Sequence, residues 1–246
     1  MSSVYMVNIE EITDDLKKNI DKNLVSICVP NSNLFDLKTI KKSILNFLKS
    51  KNKKKGRASN ITMGYIAEFF NHLFLSNNEF KQEFSFFNLE ENSMKKGFDG
   101  VYTNNGKYWI LESKSSGKSN SLHKDNFKIA YNDLKGKVSG KVKNNPWLNA
   151  FSHIKSVSSS NTSLIKTIEQ LSVNYINEKY SSIEEFNIIP CSTIILENNW
   201  SEIDIKATKK ELKKIIDKEG YKKYKELIII CLNKKSLTHF TKYLEN

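Results

Sequence analysis

Asp99, Glu112 and Lys114 are the three side chains whose types and spacing best suit chemistry. Asp99 lies in Gly97-Phe98-Asp99-Gly100-Val101-Tyr102. Glu112 and Lys114 end the run Tyr108-Trp109-Ile110-Leu111-Glu112-Ser113-Lys114. Two carboxylates suit a hard divalent cation, and an ammonium beside them can steady an attacking water, which is the set that metal-assisted phosphodiester cleavage needs. The bare pattern acid-x-Lys carries no weight in so lysine-rich a chain. It recurs at Asp15, Asp36, Glu79, Asp133, Asp204 and Glu211. Context singles out Glu112, which ends an apolar run with a second acid across a tight turn. The plainer alternative is a hairpin with charged residues at its solvated edge.

The elements that must position these groups follow from the local pattern. Asn105-Gly106 is a favoured hairpin turn, because both residues tolerate positive φ. The flanking runs are aromatic and β-branched, as strands are. Side chains alternate along a strand, so Tyr108, Ile110, Glu112 and Lys114 share a face. Upstream, Ile66, Phe69, Phe70, Leu73 and Phe74 mark an amphipathic helix over Ile61–Ser76. Glu68 falls opposite that stripe, which predicts a solvated residue unless the polar face borders the cleft. Elsewhere the pattern predicts strands at Val4–Ile9, Leu24–Val29, Phe80–Asn88, Ile188–Glu197 and Lys225–Leu232. Helices are predicted at Leu37–Lys49, Ser121–Val138, Lys209–Glu219 and Ser236–Leu244, with a long helical stretch from Pro146 to Tyr180 that Ser156–Ser160 can interrupt. The all-apolar Leu227–Leu232 suggests a strand buried on both faces. No Gly- or Pro-rich linker divides the chain. We expect an α/β fold with a mixed β-sheet flanked by helices, residues 1–60 forming an N-terminal extension packed on a core at 61–246.

Asp99…Glu112-Ser113-Lys114 resembles the PD-(D/E)xK nuclease motif. The segments Met94-Lys95-Lys96-Gly97-Phe98-Asp99-Gly100-Val101-Tyr102 and Trp109-Ile110-Leu111-Glu112-Ser113-Lys114 are similar to HamA, the nuclease subunit of the Hachiman anti-phage defence system. That pattern has a Lys-Gly-Phe-Asp segment, a short hairpin, an aliphatic strand ending in Glu-x-Lys, a polar linker and a helix. The likeness covers about a quarter of the chain well and the rest only by order of elements. Such families often carry a glutamate directly after a glycine on the preceding helix. Here Gly64 is followed by Tyr65, and the nearest acid is Glu68. The resemblance implies a nuclease-like core in which Asp99 and Glu112, with a backbone carbonyl near Ser113, hold Mg²⁺ or Mn²⁺. Lys114 would stand beside the attacking water, and Glu68 could complete the site. It also implies DNA cleaved with little sequence preference and a helicase partner like HamB that restrains the nuclease.

Composition narrows the classes. The chain has 246 residues and a formal net charge of +12, which fits a polyanionic partner, nucleic acid first. Arg57 is the only arginine. That speaks against base-specific readout, for which arginine is the commonest tool, and suits sequence-independent phosphate contact by lysine. Some of the lysine can equally reflect an AT-rich coding bias on solvated faces. Lys95, Lys96 and Lys118 flank the proposed site and are the expected phosphate contacts, with Lys54, Lys55 and His123 in reserve. The four histidines show no metal-ligand spacing, and a phosphate loop of the G-x-x-x-x-G-K-[ST] type is absent. Cys28, Cys191 and Cys231 read as buried free thiols. No apolar run reaches membrane-spanning length, and Met1–Met6 lacks signal-peptide features, so a cytoplasmic location is expected. Two other readings remain open: a non-catalytic nucleic-acid-binding subunit that keeps a nuclease fold, and an interaction module of a larger complex.

Overall fold

Asn105 and Gly106 both adopt positive φ, 48° and 72°, the backbone of a two-residue hairpin turn whose twist matches its strands. In the computed structural model, which describes residues 2–30, 34–51, 59–83, 85–88, 93–94, 97–117, 120–157, 162–218 and 220–245, this turn organises a larger sheet. The elements run β1 (Ser2–Ile9), α1 (Asp14–Cys28), α2 (Leu37–Lys51), α3 (Asn60–Ser76), β2 (Lys81–Gln82), β3 (Phe87–Asn88), β4 (Ser93–Met94), β5 (Gly100–Asn104) and β6 (Lys107–Ser116). Then come α4 (His123–Val138), α5 (Pro146–Val157), α6 (Thr162–Ile176), β7 (Asn187–Ile195), α7 (Ile205–Ile216), β8 (Glu226–Lys234) and α8 (Thr238–Glu245).

The fold is α/β: a six-stranded mixed sheet of order β1-β8-β7-β6-β5-β2, flanked by helices. β5 pairs antiparallel with β6, while β6, β7, β8 and β1 are mutually parallel. Every residue of β7 is buried, and all of β8 but Glu226, as expected of parallel strands covered on both faces. The period of two separates the cores. Val101, Ile110, Ile188, Leu227 and Ile229 join Phe127, Tyr131 and Leu134 of α4 and Trp147 of α5 on one face. Leu111, Ile189, Ile228 and Ile230 face the other way, with Leu75 of α3. Beyond them, α1, α2, α3 and α8 close around Ile9, Ile195 and Leu232. β1 lies within the same sheet, and its helices share a core with α3 and α8, so sheet and core both run across the boundary drawn at residue 60.

Two elements differ from the sequence reading. Leu24–Val29 is not a strand: through Cys28 it forms the last turns of α1. Its β-branched residues read as strand, but the buried positions Ile20, Leu24, Ile27 and Cys28 recur every three or four residues, and Thr13 caps the helix by accepting from the Leu16 N–H. Tertiary burial outweighs propensity here. Among the described residues, Phe80–Asn88 pairs as a strand only at Lys81–Gln82 and Phe87–Asn88. The three cysteines are buried and free. Among the described residues no helix is long and apolar enough to cross a membrane.

Candidate functional site

The hairpin register pairs Gly100 with Leu111, which sets Asp99 opposite Glu112. Antiparallel partners share a face, here the face beneath α4 that also holds Val101 and Ile110. Asp99 is held at both ends. Its N–H donates to the Leu111 carbonyl at 3.1 Å, and its Oδ2 accepts from the Ser113 N–H at 2.7 Å. Its neighbours must be glycine. Gly97 has φ +100°, and a Cβ there would meet the Pro146 carbonyl and the Asn149 Cβ at 3.3 Å. A Cβ on Gly100 would lie 2.7 Å from the Tyr102 ring.

Glu112 was expected at the tip of its strand. Instead β6 continues to Ser116, and Glu112 is only 2% exposed. Its Oε1 accepts from the Lys114 Nζ at 2.8 Å, and its Oε2 forms an ion pair with Lys137 from the last turn of α4. The Lys114 ammonium also contacts Asp133 Oδ2, again on α4, at 2.6 Å. The acid-x-Lys pair therefore sits within a four-member ion network supplied half by β6 and half by α4.

Glu68 is likewise not solvated. It is 8% exposed, because α3 is enclosed on nearly every side: Tyr65 through Leu73 are all buried. The polar side of the helical wheel faces the site rather than solvent. Among the described residues the Glu68 carboxylate has no hydrogen-bond or ion-pair partner, yet Asp99 and Glu112 both act on it. One turn on, Asn71 Nδ2 donates to Ser113 Oγ at 3.0 Å, tying α3 to β6.

The electrostatics follow from burial and crowding. Burial first, then the neighbouring Asp99 carboxylate, pushes Glu112 up to about 7, although Lys137 and Lys114 pull the other way. Burial, then Asp99 and Glu112, holds Glu68 well above the ordinary carboxylate range. Burial alone would lower Lys114, but Glu112, Asp133 and Asp99 outweigh it and keep its ammonium firmly protonated. Carboxylates crowded this way gain from a hard cation that neutralises them.

Among the described residues no three His, Cys, Asp or Glu side chains already form a metal cage, and both Glu112 oxygens are engaged by ammoniums. By type the neighbouring donors are those a hard divalent ion takes, carboxylate oxygens, though among the described residues they are not gathered into a cage. Three carboxylates, Glu68, Asp99 and Glu112, act on one another, and Glu68 makes no hydrogen bond or ion pair with a described residue.

The remaining expectations divide. Lys54, Lys55, Lys95, Lys96 and Lys118 lie outside the described residues. His123 is not a phosphate contact: it is buried, with Nδ1 bonded to Ser192 Oγ at 2.8 Å and Nε2 to Asn233 Oδ1 at 3.1 Å. Burial lowers it to about 4, so it is neutral at pH 7. Lys137, Asp133 and Asn71 escape sequence reasoning. The available signal was spacing: Asp133 and Lys137 stand four apart on the helix after the motif strand, and Asn71 stands three after Glu68, so each pair shares a helix face. Neither protein-family models nor curated proteins yield a match to this chain.

Proposed function

We propose that the chain is a metal-dependent deoxyribonuclease with a PD-(D/E)xK-like core. The observation that carries this reading is Asp99 opposite Glu112 on one sheet face, with Lys114 beside them and Glu68, which pairs with no described residue, arriving from α3. Asp99, Glu112 and Glu68, helped by the main-chain carbonyl of Ser113, would hold Mg²⁺ or Mn²⁺. Such an ion supplies charge neutralisation at the scissile phosphate and a more acidic water. Lys114, held by Asp133, positions the water through its ammonium donors and offsets the charge that builds on the phosphate oxygens. Lys137 and Lys114 occupy the Glu112 oxygens that coordination needs. Were Glu112 to hold an ion instead, Lys114 and Lys137 would be free to contact a substrate phosphate.

Resemblance to HamA supports an anti-phage role, a helicase partner that restrains the activity, and DNA cleaved with little sequence preference. The formal charge of +12 and the near absence of arginine agree with a sequence-independent polyanion partner. One observation favours a non-catalytic alternative: with two ammoniums on Glu112, the ion network is nearly closed. Plasmid cleavage by the activated complex separates the two readings. Glu112→Gln keeps the side-chain shape and should lower the Mg²⁺-dependent rate by at least about 10³-fold. Undiminished cleavage by that variant would leave the non-catalytic reading standing.

A further inference from the structure

Helix α7 carries lysines at 206, 209, 210, 213 and 214, the spacing i, i+3, i+4, i+7, i+8 of a single stripe. The stripe lies opposite Leu212 and Ile215, which are buried against the sheet. All five lysines are exposed. None makes an ion pair with a described residue, and the one acid of the helix, Glu211, is taken by Lys124 of α4.

Abundant lysine alone does not account for this. Helix α2 is as lysine-rich, yet its Lys41 and Lys49 pair with Asp21 at 3.0 Å and Glu245 at 3.2 Å. On α7 the pairs 206/210, 209/213 and 210/214 are like charges one turn apart, an arrangement that destabilises a helix. The stripe spans about 12 Å of helix, over which duplex DNA presents about seven phosphate charges. It contains no arginine or aromatic side chain that could read bases. A membrane surface fits less well, because an interfacial helix needs a free apolar face, and Leu212 and Ile215 are spent on the core. The helix also adjoins α4, which carries Asp133 and Lys137. Glu211 pairs with the start of α4, and just beyond α7 the Tyr221 hydroxyl meets Asn132, the neighbour of Asp133.

We propose that the lysine stripe of α7 is a sequence-independent contact for the phosphate backbone of nucleic acid, adjoining the helix that carries Asp133 and Lys137. The proposal does not rest on cleavage. The test is the affinity of the full chain for labelled duplexes of unrelated sequence, measured in EDTA across a salt series. Replacing all five lysines by glutamine should weaken binding at least 10-fold near 0.1 M salt and flatten the dependence of log K on log salt by about 3. Thermal unfolding should show this variant no less stable than wild type, since repulsion has been removed. Lys38, Lys42 and Lys49 of α2, replaced together, should change affinity less than twofold. The proposal is overturned if the α7 variant keeps its affinity and slope, if the α2 variant loses as much, or if the wild type binds anionic vesicles and not DNA. Failure of cleavage with intact α7-dependent binding would count against the nuclease reading alone.

Discussion

Two buried polar clusters meet on the neighbouring strands β6 and β7, and they are built on opposite principles. Lys114 of β6 is the register partner of Ser192 of β7, yet each belongs to a different set. The Ser192–His123–Asn233 set is uncharged at neutral pH and closed: both ring nitrogens of His123 are bonded, and Asn233 Nδ2 donates onward to the Ser201 carbonyl. It pins the start of α4 to β7 and β8. The Glu68–Asp99–Glu112 set gathers acids faster than cations and leaves Glu68 without a partner among the described residues. A polar cluster that exists for stability satisfies its own groups, whereas one that awaits a ligand leaves a group unsatisfied. The Ser–His–Asn order superficially suggests nucleophilic catalysis, but Ser192 is wholly buried, so its role is to hold α4 in place.

The contrast can be broken by mutation. Largest in effect, Lys114→Met should reduce Mg²⁺-dependent plasmid cleavage by at least about 10³-fold, because it removes the cation beside the attacking water. A variant that kept its rate would reduce the network to a structural one. Next comes stability. His123→Ala orphans Ser192 Oγ and Asn233 Oδ1 and should lower unfolding stability by about 2–3 kcal/mol, read by urea denaturation. Glu68→Leu should instead cost less than about 1 kcal/mol, since no hydrogen bond or ion pair with a described residue is lost, while it abolishes or weakens divalent binding. Equal destabilisation by both changes would erase the distinction.

The two clusters should also respond to pH with opposite sign. His123 is lowered from 6.5 to about 4. The unfolded chain therefore binds more protons between those values, and stability is lost as pH falls through that window. Glu112 is raised from 4.5 to about 7, so the folded chain binds more protons there, and stability declines as pH rises toward 7. The direction of each displacement fixes the sign of its limb. Thermal unfolding in EDTA should thus show the acid limb flattened by His123→Gln and the neutral limb flattened by Glu112→Gln. Both limbs moving with either variant would contradict the assignment. Smallest in effect, Lys137→Met should tighten divalent binding several-fold while slowing cleavage, because it frees a Glu112 oxygen and removes a cation. Weaker metal binding would make Lys137 a support of the site rather than a competitor for it.

Much of the motif was legible from the chain. The Asn105-Gly106 turn and a period of two are local signals, and together they place Asp99 opposite Glu112 with Lys114 on the same face. What was not legible depends on distant packing. Glu68 looked solvated because a helical wheel knows nothing of the elements that enclose α3. Lys137 and Asp133 reach β6 only once α4 lies across the sheet. His123 finds its partners 69 and 110 residues away, and no local pattern announces that. Leu24–Val29 misled for the same reason: its composition is that of a strand, while its burial period is that of a helix.

The most direct test of the central claim is calorimetric titration of the full chain with Mn²⁺ at pH 6, in buffers of different ionisation enthalpy. If Glu68, Asp99 and Glu112 form the metal site, one ion binds per chain. Protons are released as it does so, because Glu112 and Glu68 are raised and must give up theirs to coordinate. Asp99→Asn or Glu112→Gln should abolish that binding. An ion that fails to bind, or one that binds undiminished in both variants and releases no protons, would contradict the account.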